Sequence, residues 1–424
     1  MKSIRLIITV IVVLLIGLVG GYLLSNKGLF DRFGSPKDKY TSFLMEVYDT
    51  INENYWDDIP EEKLLELYTT GTEKFANQIV TQKPKSKIDL QKTLVKVVSS
   101  LPDETKKKEF ATSLADAILA TLEPNGRSRL YGRKEETGLA NEVNNINPDA
   151  DRYKDLGVSN DASQDEIEKA HEEITNELQK ESSPEAKKKL AEANKAFQTL
   201  SDEVARKTYD QSGVESTLEY KLLKPSIFYL HLTRFSPTTI DDLVRVTSKV
   251  DKGEVLDTLI FDLRDNIGGD IDGLPFLLGP FIGNDQYAYQ FFHRGDKTDF
   301  KTKTGWLNSL VRYKKIVVLT NGGTMSSAEV MTATLKKYNV GVVVGTNTKG
   351  WGTVERVFEL KSQIGEKEKY SVFLVHSLTL REDGKPIEGV GVEPNINITA
   401  EGWEKELYTR FGSQTLIDAV KEVL

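Results

Sequence analysis

Val317-Val318-Leu319-Thr320-Asn321-Gly322-Gly323-Thr324-Met325-Ser326-Ser327-Ala328-Glu329-Val330 reads as an apolar strand, a glycine turn and the opening of a helix. A buried strand that feeds a helix is the building unit of α/β sheets. Ser326 falls in the first turn of that helix, where backbone N–H groups beside its hydroxyl can stabilise a developing oxyanion. Ser326-x-x-Glu329 is equally a capping box, in which the serine only satisfies the helix end. Both readings stand on this stretch alone.

The alternation continues on either side. Residues 226–232, 257–263, 315–320 and 341–345 read as strands, with helices at 239–250, 271–281 and 326–338 between them, which predicts an α/β core with buried parallel strands. Strands at 354–360, 369–375 and 378–381 close the domain, and 403–423 holds a terminal helix. Upstream, residues 40–130 are helical, with Phe43, Leu44, Val47, Tyr48 and Ile51 at helix spacing. Glu123-Pro124-Asn125-Gly126 stops the last helix there. Residues 136–150 form a polar linker, and 151–213 form a highly charged helical block unlike either neighbour.

The formal charge of −8 argues against nucleic acid as a partner. With no cysteine, disulfides, thiolate nucleophiles and Cys-based metal sites are excluded. His171, His231, His293 and His376 lack ligand spacing, so no metal or other cofactor is expected. Residues 6–24 are uncharged and almost wholly apolar, behind Lys2 and Arg5. A helix of that length spans about 30 Å of hydrocarbon. No small-x-small cleavage site follows. The expectation is a single-pass signal anchor over residues 1–27, with the body outside the cytoplasm of a bacterial-type cell membrane.

Phe261-Asp262-Leu263-Arg264-Asp265-Asn266-Ile267-Gly268-Gly269 resembles the Asp-Leu-Arg-x-Asn-x-Gly-Gly signature of the C-terminal processing peptidases, or tail-specific proteases. The segment 321–330 resembles their nucleophile segment, 345–354 the strand and turn after it, and 384–395 their closing motif. In the helical region, Phe43 to Tyr48 with Asn54-Tyr55, and Leu122-Glu123-Pro124 ahead of Tyr131, also match. The resemblance implies a crotonase-like (ClpP/crotonase type) core and a serine endopeptidase that acts on the C-termini of unfolded proteins or peptides. It makes Ser326 the nucleophile, acting through an acyl-enzyme. Oxyanion donors would be the backbone N–H of Ser327 and that of Gly268 or Gly269.

The match breaks at the base. The family's lysine, kept neutral by burial, lies in a Thr-x-Gly-Lys-Gly stretch. Here the stretch is Thr348-Lys349-Gly350-Trp351-Gly352, and indole has no basic nitrogen. The glutamine that orients that lysine corresponds to Glu355, and a carboxylate there favours ammonium over free amine. Lys349 is the candidate replacement, displaced by two residues, about 6–7 Å along a strand. His231 and His376 are further candidates, each equally readable as an ordinary strand residue. The alternative function is a catalytically inactive homologue that binds peptides or partners.

Tail-specific proteases usually carry a PDZ domain between helical region and core, and no stretch reads as one here. Tyr153 to Val158, Ala162, Glu166-Ile167 and Ala170 resemble the opening of a J-domain; Ala193, Phe197, Leu200 to Asp202, Arg206 and Tyr209-Asp210 resemble its close. Its His-Pro-Asp tripeptide is missing, with Gln179-Lys180-Glu181 about where it would fall. The block is expected to serve contact or spacing, including binding of a protein partner. The expected layout is an anchor (1–27), a helical region (36–135), a J-like insertion (149–215) and a peptidase-like core with a C-terminal helix (217–424).

Overall fold

The computed structural model describes residues 38–250 and 256–424, so the expected membrane helix lies outside the described residues. Among those, no helix is long and apolar enough to cross a membrane. The fold is mixed α/β.

Helices α1 (Lys39–Asn54), α2 (Glu61–Ala76), α3 (Lys87–Ser100) and α4 (Glu104–Thr121) make the helical region. Asp38 starts the first by accepting the Thr41 N–H at 2.8 Å, which satisfies one of the orphan donors of the helix end. Phe43, Leu44, Val47 and Ile51 line one face of α1 and are fully buried. They pack with Leu64, Leu90, Leu94 and Leu114 of the other three helices, and with Val372 and Leu374 of the sheet beyond.

Strand β1 (Arg129–Gly132) and helix α5 (Arg133–Val143) follow. The expected linker therefore begins as a helix, whose Glu135 side chain reaches back to the Gly132 N–H at 3.0 Å. Next come α6 (Arg152–Leu156), α7 (Gln164–Leu178), α8 (Pro184–Leu200) and α9 (Glu203–Ser212), with a small core of their own from Tyr153, Leu156, Ile167, Ala193, Ala196 and Leu200. The block leaves and rejoins the chain at adjacent points, since Ile146 and Val214 form an antiparallel bridge. Glu215 ties it down: Arg152 donates to it at 2.9 and 2.6 Å, and Lys195 stands 2.7 Å from its other oxygen.

The larger sheet contains β2 (Leu218–Lys224), β3 (Ile227–Leu232), β4 (Thr258–Asp262), β7 (Lys315–Thr320), β8 (Val342–Gly345) and β11 (Ile396–Asn397), in the order β11-β8-β7-β4-β3-β2. All neighbours pair parallel except β2 with β3. Every residue of β4 is buried, as expected of a strand covered on both faces. Helices α10 (Thr239–Val250), α11 (Leu274–Ile282) and α13 (Ser327–Lys337) cover one face. The other face is covered by α14 (Trp403–Phe411) and α15 (Gln414–Val423). The expected single terminal helix is thus two, broken at Gly412, which takes the left-handed conformation at φ +60 and ends α14.

A second sheet joins β1, β5 (Tyr287–His293), β6 (Asp296–Lys301), β9 (Thr353–Glu359) and β10 (Tyr370–Leu380). The two strands expected over 369–381 are one, with a bulge at His376 where the pairing to β9 skips from Val375 to Ser377. The remaining helix, α12 (Asn308–Val311), is a single turn.

Candidate active site

Three loops leave the carboxyl ends of the neighbouring strands β4, β7 and β8, the edge where open α/β sheets place their sites. They are stapled to one another. Thr324 Oγ1 donates to the Leu263 carbonyl at 2.8 Å, the Met325 N–H to the Asn266 carbonyl at 2.8 Å, and the Lys349 N–H to the Thr324 carbonyl at 3.0 Å. Asn321 Oδ1 accepts the N–H groups of Asp265 and Gly323 at 3.0 and 2.9 Å.

Ser326 sits on this staple at φ +53, ψ −122, a conformation that costs a non-glycine residue strain energy. The capping alternative can now be judged. The Glu329 N–H bonds the Ser326 carbonyl at 2.8 Å, and the Glu329 carboxylate accepts the Ser326 N–H at 3.0 Å. The hydroxyl itself makes no hydrogen bond among the described residues, so it takes no part in capping and stays half-exposed.

Gly268 lies flat against this serine. A Cβ there would stand 2.6 Å from Ser326 Cβ and 3.1 Å from its Oγ. The Gly268 N–H is committed to Asn266 Oδ1 at 2.9 Å. Gly269 differs. Phe235 bonds the flanking groups, its N–H to the Gly268 carbonyl and its carbonyl to the Asp270 N–H, each at 3.0 Å. A residue bridged in this parallel manner turns its own N–H and C=O to the opposite side. That side holds the nucleophile segment, since Ser327 Oγ donates to the Gly269 carbonyl at 3.0 Å. The N–H groups of Gly269 and Ser327 have no acceptor among the described residues. These two, the second at the start of α13, are the donors available to an oxyanion.

Glu329 carries more of the site than its sequence position advertises. Wholly buried, it accepts Thr348 Oγ1 at 2.6 Å, the Gly350 N–H at 2.7 Å, the Trp351 N–H at 2.7 Å and the Ser326 N–H at 3.0 Å. Burial pushes its carboxyl pKa up, and the four donors pull it back. Its capping-box spacing is all the sequence shows of this role; the two later donor residues lie beyond any local pattern.

At Trp351, the position expected to match the family's lysine, the indole is half-buried. The guanidinium of Arg127, from the end of the helical region, stacks on it 3.5 Å from the ring centre. Arg127 Nη2 donates to Glu388 Oε1 at 2.9 Å, and Glu388 Oε2 accepts the Gly352 N–H at 2.7 Å. Trp351 Nε1 lies 3.4 Å from Glu355 Oε1, which also accepts Thr353 Oγ1 at 2.6 Å. Burial pushes the Glu355 carboxyl up against those hydrogen bonds and the nearby Arg127 charge. Arg127 went unnoticed in the sequence because its partners lie far along the chain.

Lys349 stands between Thr348 and Gly350, both turned inward to Glu329, and its own side chain is exposed, with Nζ in no ion pair or hydrogen bond among the described residues. His231 is held elsewhere, between Glu219 Oε2 at 3.3 Å and the Arg264 carbonyl at 3.2 Å. His376 stacks on His293 with ring centres 4.3 Å apart. Among the described residues no cluster of acidic or histidine side chains could hold a metal ion.

Comparison with known proteins follows the same lines. The profile of peptidase family S41 matches residues 226–398, and that of the DnaJ domain matches residues 151–210. The chain is 26% identical over 370 residues to the carboxy-terminal processing protease CtpB of Bacillus subtilis (strain 168), covering 86% of this chain and 69% of that one. A probable CtpA-like serine protease of Staphylococcus epidermidis is 28% identical over 188 residues, covering 44% of this chain but only 36% of its own length. Among solved structures, a photosystem II D1 C-terminal processing protease aligns over 85% of this chain and 93% of its own, at 15% identity and a TM-score of 0.49. With the serine, the paired glycines and the closing motif in family order, residues 226–398 are similar to the C-terminal processing peptidases of family S41, and a segment similar to a DnaJ domain is set ahead of them.

Proposed function

We propose that this protein binds the chain ends of unfolded polypeptides in a peptidase cleft that has lost its general base, and holds them without cutting. One observation carries this reading. Trp351, which the family resemblance matches to the lysine, is pinned under Arg127, while Lys349 faces solvent. Ser326 Oγ has no hydrogen-bond partner among the described residues, so no side chain stands placed to take its proton. The core would be of the crotonase-like kind. The body would stand outside the cytoplasm on the anchor at residues 6–24, with the DnaJ block placed to hold a protein partner where relatives carry a PDZ domain.

A second reading, a membrane-anchored serine endopeptidase, is favoured by Ser326 itself. Its strained backbone, with a hydroxyl and two N–H donors that have no partner among the described residues, is what nucleophilic attack on a peptide carbonyl needs. The experiment separates the two. Cleavage of an unfolded protein from neutral to alkaline pH is compared for the native chain, Ser326→Ala and the double variant Trp351→Lys, Glu355→Gln. Binding without cutting predicts equal background for the first two and serine-dependent cleavage in the third. Native activity abolished by Ser326→Ala would establish the endopeptidase and overturn the first reading.

A further inference from the structure

The turn that carries Trp351 meets the end of the helical region at the side chain of Arg127. Arg127 follows the turn that ends α4, and that turn is fixed from its own side. Tyr55 Oη and Trp56 Nε1 both donate to the Glu123 carbonyl, the latter at 2.7 Å, and the Gly126 N–H bonds the Ala120 carbonyl at 2.8 Å. Ser128 Oγ then accepts the Val375 N–H of β10 at 3.1 Å. Between these anchors the Arg127 side chain is largely covered, with only 16% of it exposed. Its Nη1 is buried without a hydrogen-bond partner among the described residues, so hydrogen bonding alone does not account for its placement. What the guanidinium meets face-on is the Trp351 ring.

From Trp351 the connection runs on. Its N–H shares Glu329 Oε2 with the N–H of Ser326, and Glu388 holds both Arg127 and the Gly352 N–H. We infer that Arg127 is a positioning residue: it locks the Trp351 indole, and through Glu329 and Glu388 the turn 348–352, so that the shape of the cleft depends on how the helical region is docked. A guanidinium can do this because it is planar, permanently charged and weakly hydrated, and therefore stacks on an aromatic face while one edge stays in an ion pair. A lysine ammonium could keep the charge but not the plane. The inference rests on the proposed peptide-binding reading for its consequence, but not for its geometry.

The test is a double-mutant cycle on the full chain in detergent, with Arg127→Ala, Trp351→Phe and both together, plus Arg127→Lys. Two readouts are followed: affinity for an unstructured test peptide, and acrylamide quenching of tryptophan fluorescence. Arg129→Ala, which removes an exposed pair with Asp116 nearby, serves as a structural control. A desolvated cation–π contact is worth on the order of tenfold in an equilibrium. The lock predicts increased quenching in Arg127→Ala that vanishes in the Trp351→Phe background, little rescue by Arg127→Lys, and a peptide affinity altered several-fold. Quenching unchanged by Arg127→Ala would overturn the lock. So would full rescue by lysine, or an effect of Arg129→Ala as large as that of Arg127→Ala. If the native chain binds no peptide while the quenching cycle still shows coupling, the peptide-binding reading fails and the lock stands.

Discussion

Replacing Glu329 by glutamine tests whether one carboxylate assembles the site. The two side chains have the same shape, and only one oxygen becomes an NH2. In the native site each oxygen accepts two donors: Thr348 Oγ1 and the Gly350 N–H on Oε1, the Ser326 and Trp351 N–H groups on Oε2. Turned toward Oε2, the new NH2 would face two backbone N–H groups that have no other acceptor among the described residues. Turned toward Oε1, it meets one backbone N–H and a hydroxyl that can reverse. Thr348 Oγ1 already accepts the Val392 N–H at 2.7 Å and has a second lone pair for the amide. The cheaper arrangement therefore orphans the Gly350 N–H and weakens three charge-assisted bonds. A buried unpaired donor costs about 1–3 kcal/mol, and the three lost charge assistances together add about 1 kcal/mol. The expected loss is about 2–4 kcal/mol, concentrated where the donors are. Hydrogen exchange resolved by segment reads it directly: amides at 348–351 and 326 should exchange about 30- to 1000-fold faster, with the α1–α4 core little changed. A change below about fivefold in a folded variant would refute the argument that this carboxylate holds the loops together.

Two further outcomes follow from the same geometry. Gly269→Ala would drive a Cβ into the Phe235 carbonyl oxygen at φ +132, a backbone contact with no flexible atom to give way, so it should cost more than about 3 kcal/mol in urea unfolding; a loss under 1 kcal/mol would mean the loop is looser than described. His376 is held down to about 4 by burial, then by His293, Arg356 and Arg294. Its ordinary value is near 6.5, so from pH 6.5 down to about 4 the unfolded chain binds a proton that the fold refuses, and stability falls with pH. Because the ring is only half-buried, solvent screening leaves about 1–2 kcal/mol of this. His376→Gln should flatten that part of the pH–stability curve, and an unchanged slope would discount the histidine.

Much of the fold was legible because its signals are local. The apolar runs at 257–263 and 315–320, each ending in a polar or glycine turn, have the length and branched residues of covered strands, and the α1 face from Phe43 to Ile51 declares its own period. What escaped lacks such a signal. β6 is exposed along nearly its whole length, so no alternation marks it, and the bulge at His376 breaks the period of β10 into two apparent strands. Helix α5 buries no residue at all.

The site divides the same way. The lysine position matched to Trp351 and the glutamine position matched to Glu355 came from the family resemblance alone, whereas Ser326 and the paired glycines were readable as a turn chemistry in their own letters. Which glycine offers its N–H was not, because that depends on Phe235 bridging one side of the loop and leaving the other free. Nor was the convergence of Ser326, Thr348, Gly350 and Trp351 on Glu329, or the seating of Arg127 on the indole. Hydrogen bonds and cation–π contacts between residues distant along the chain act over a few ångströms. Only the packing of parallel strands and the docking of the helical region bring those groups within that range.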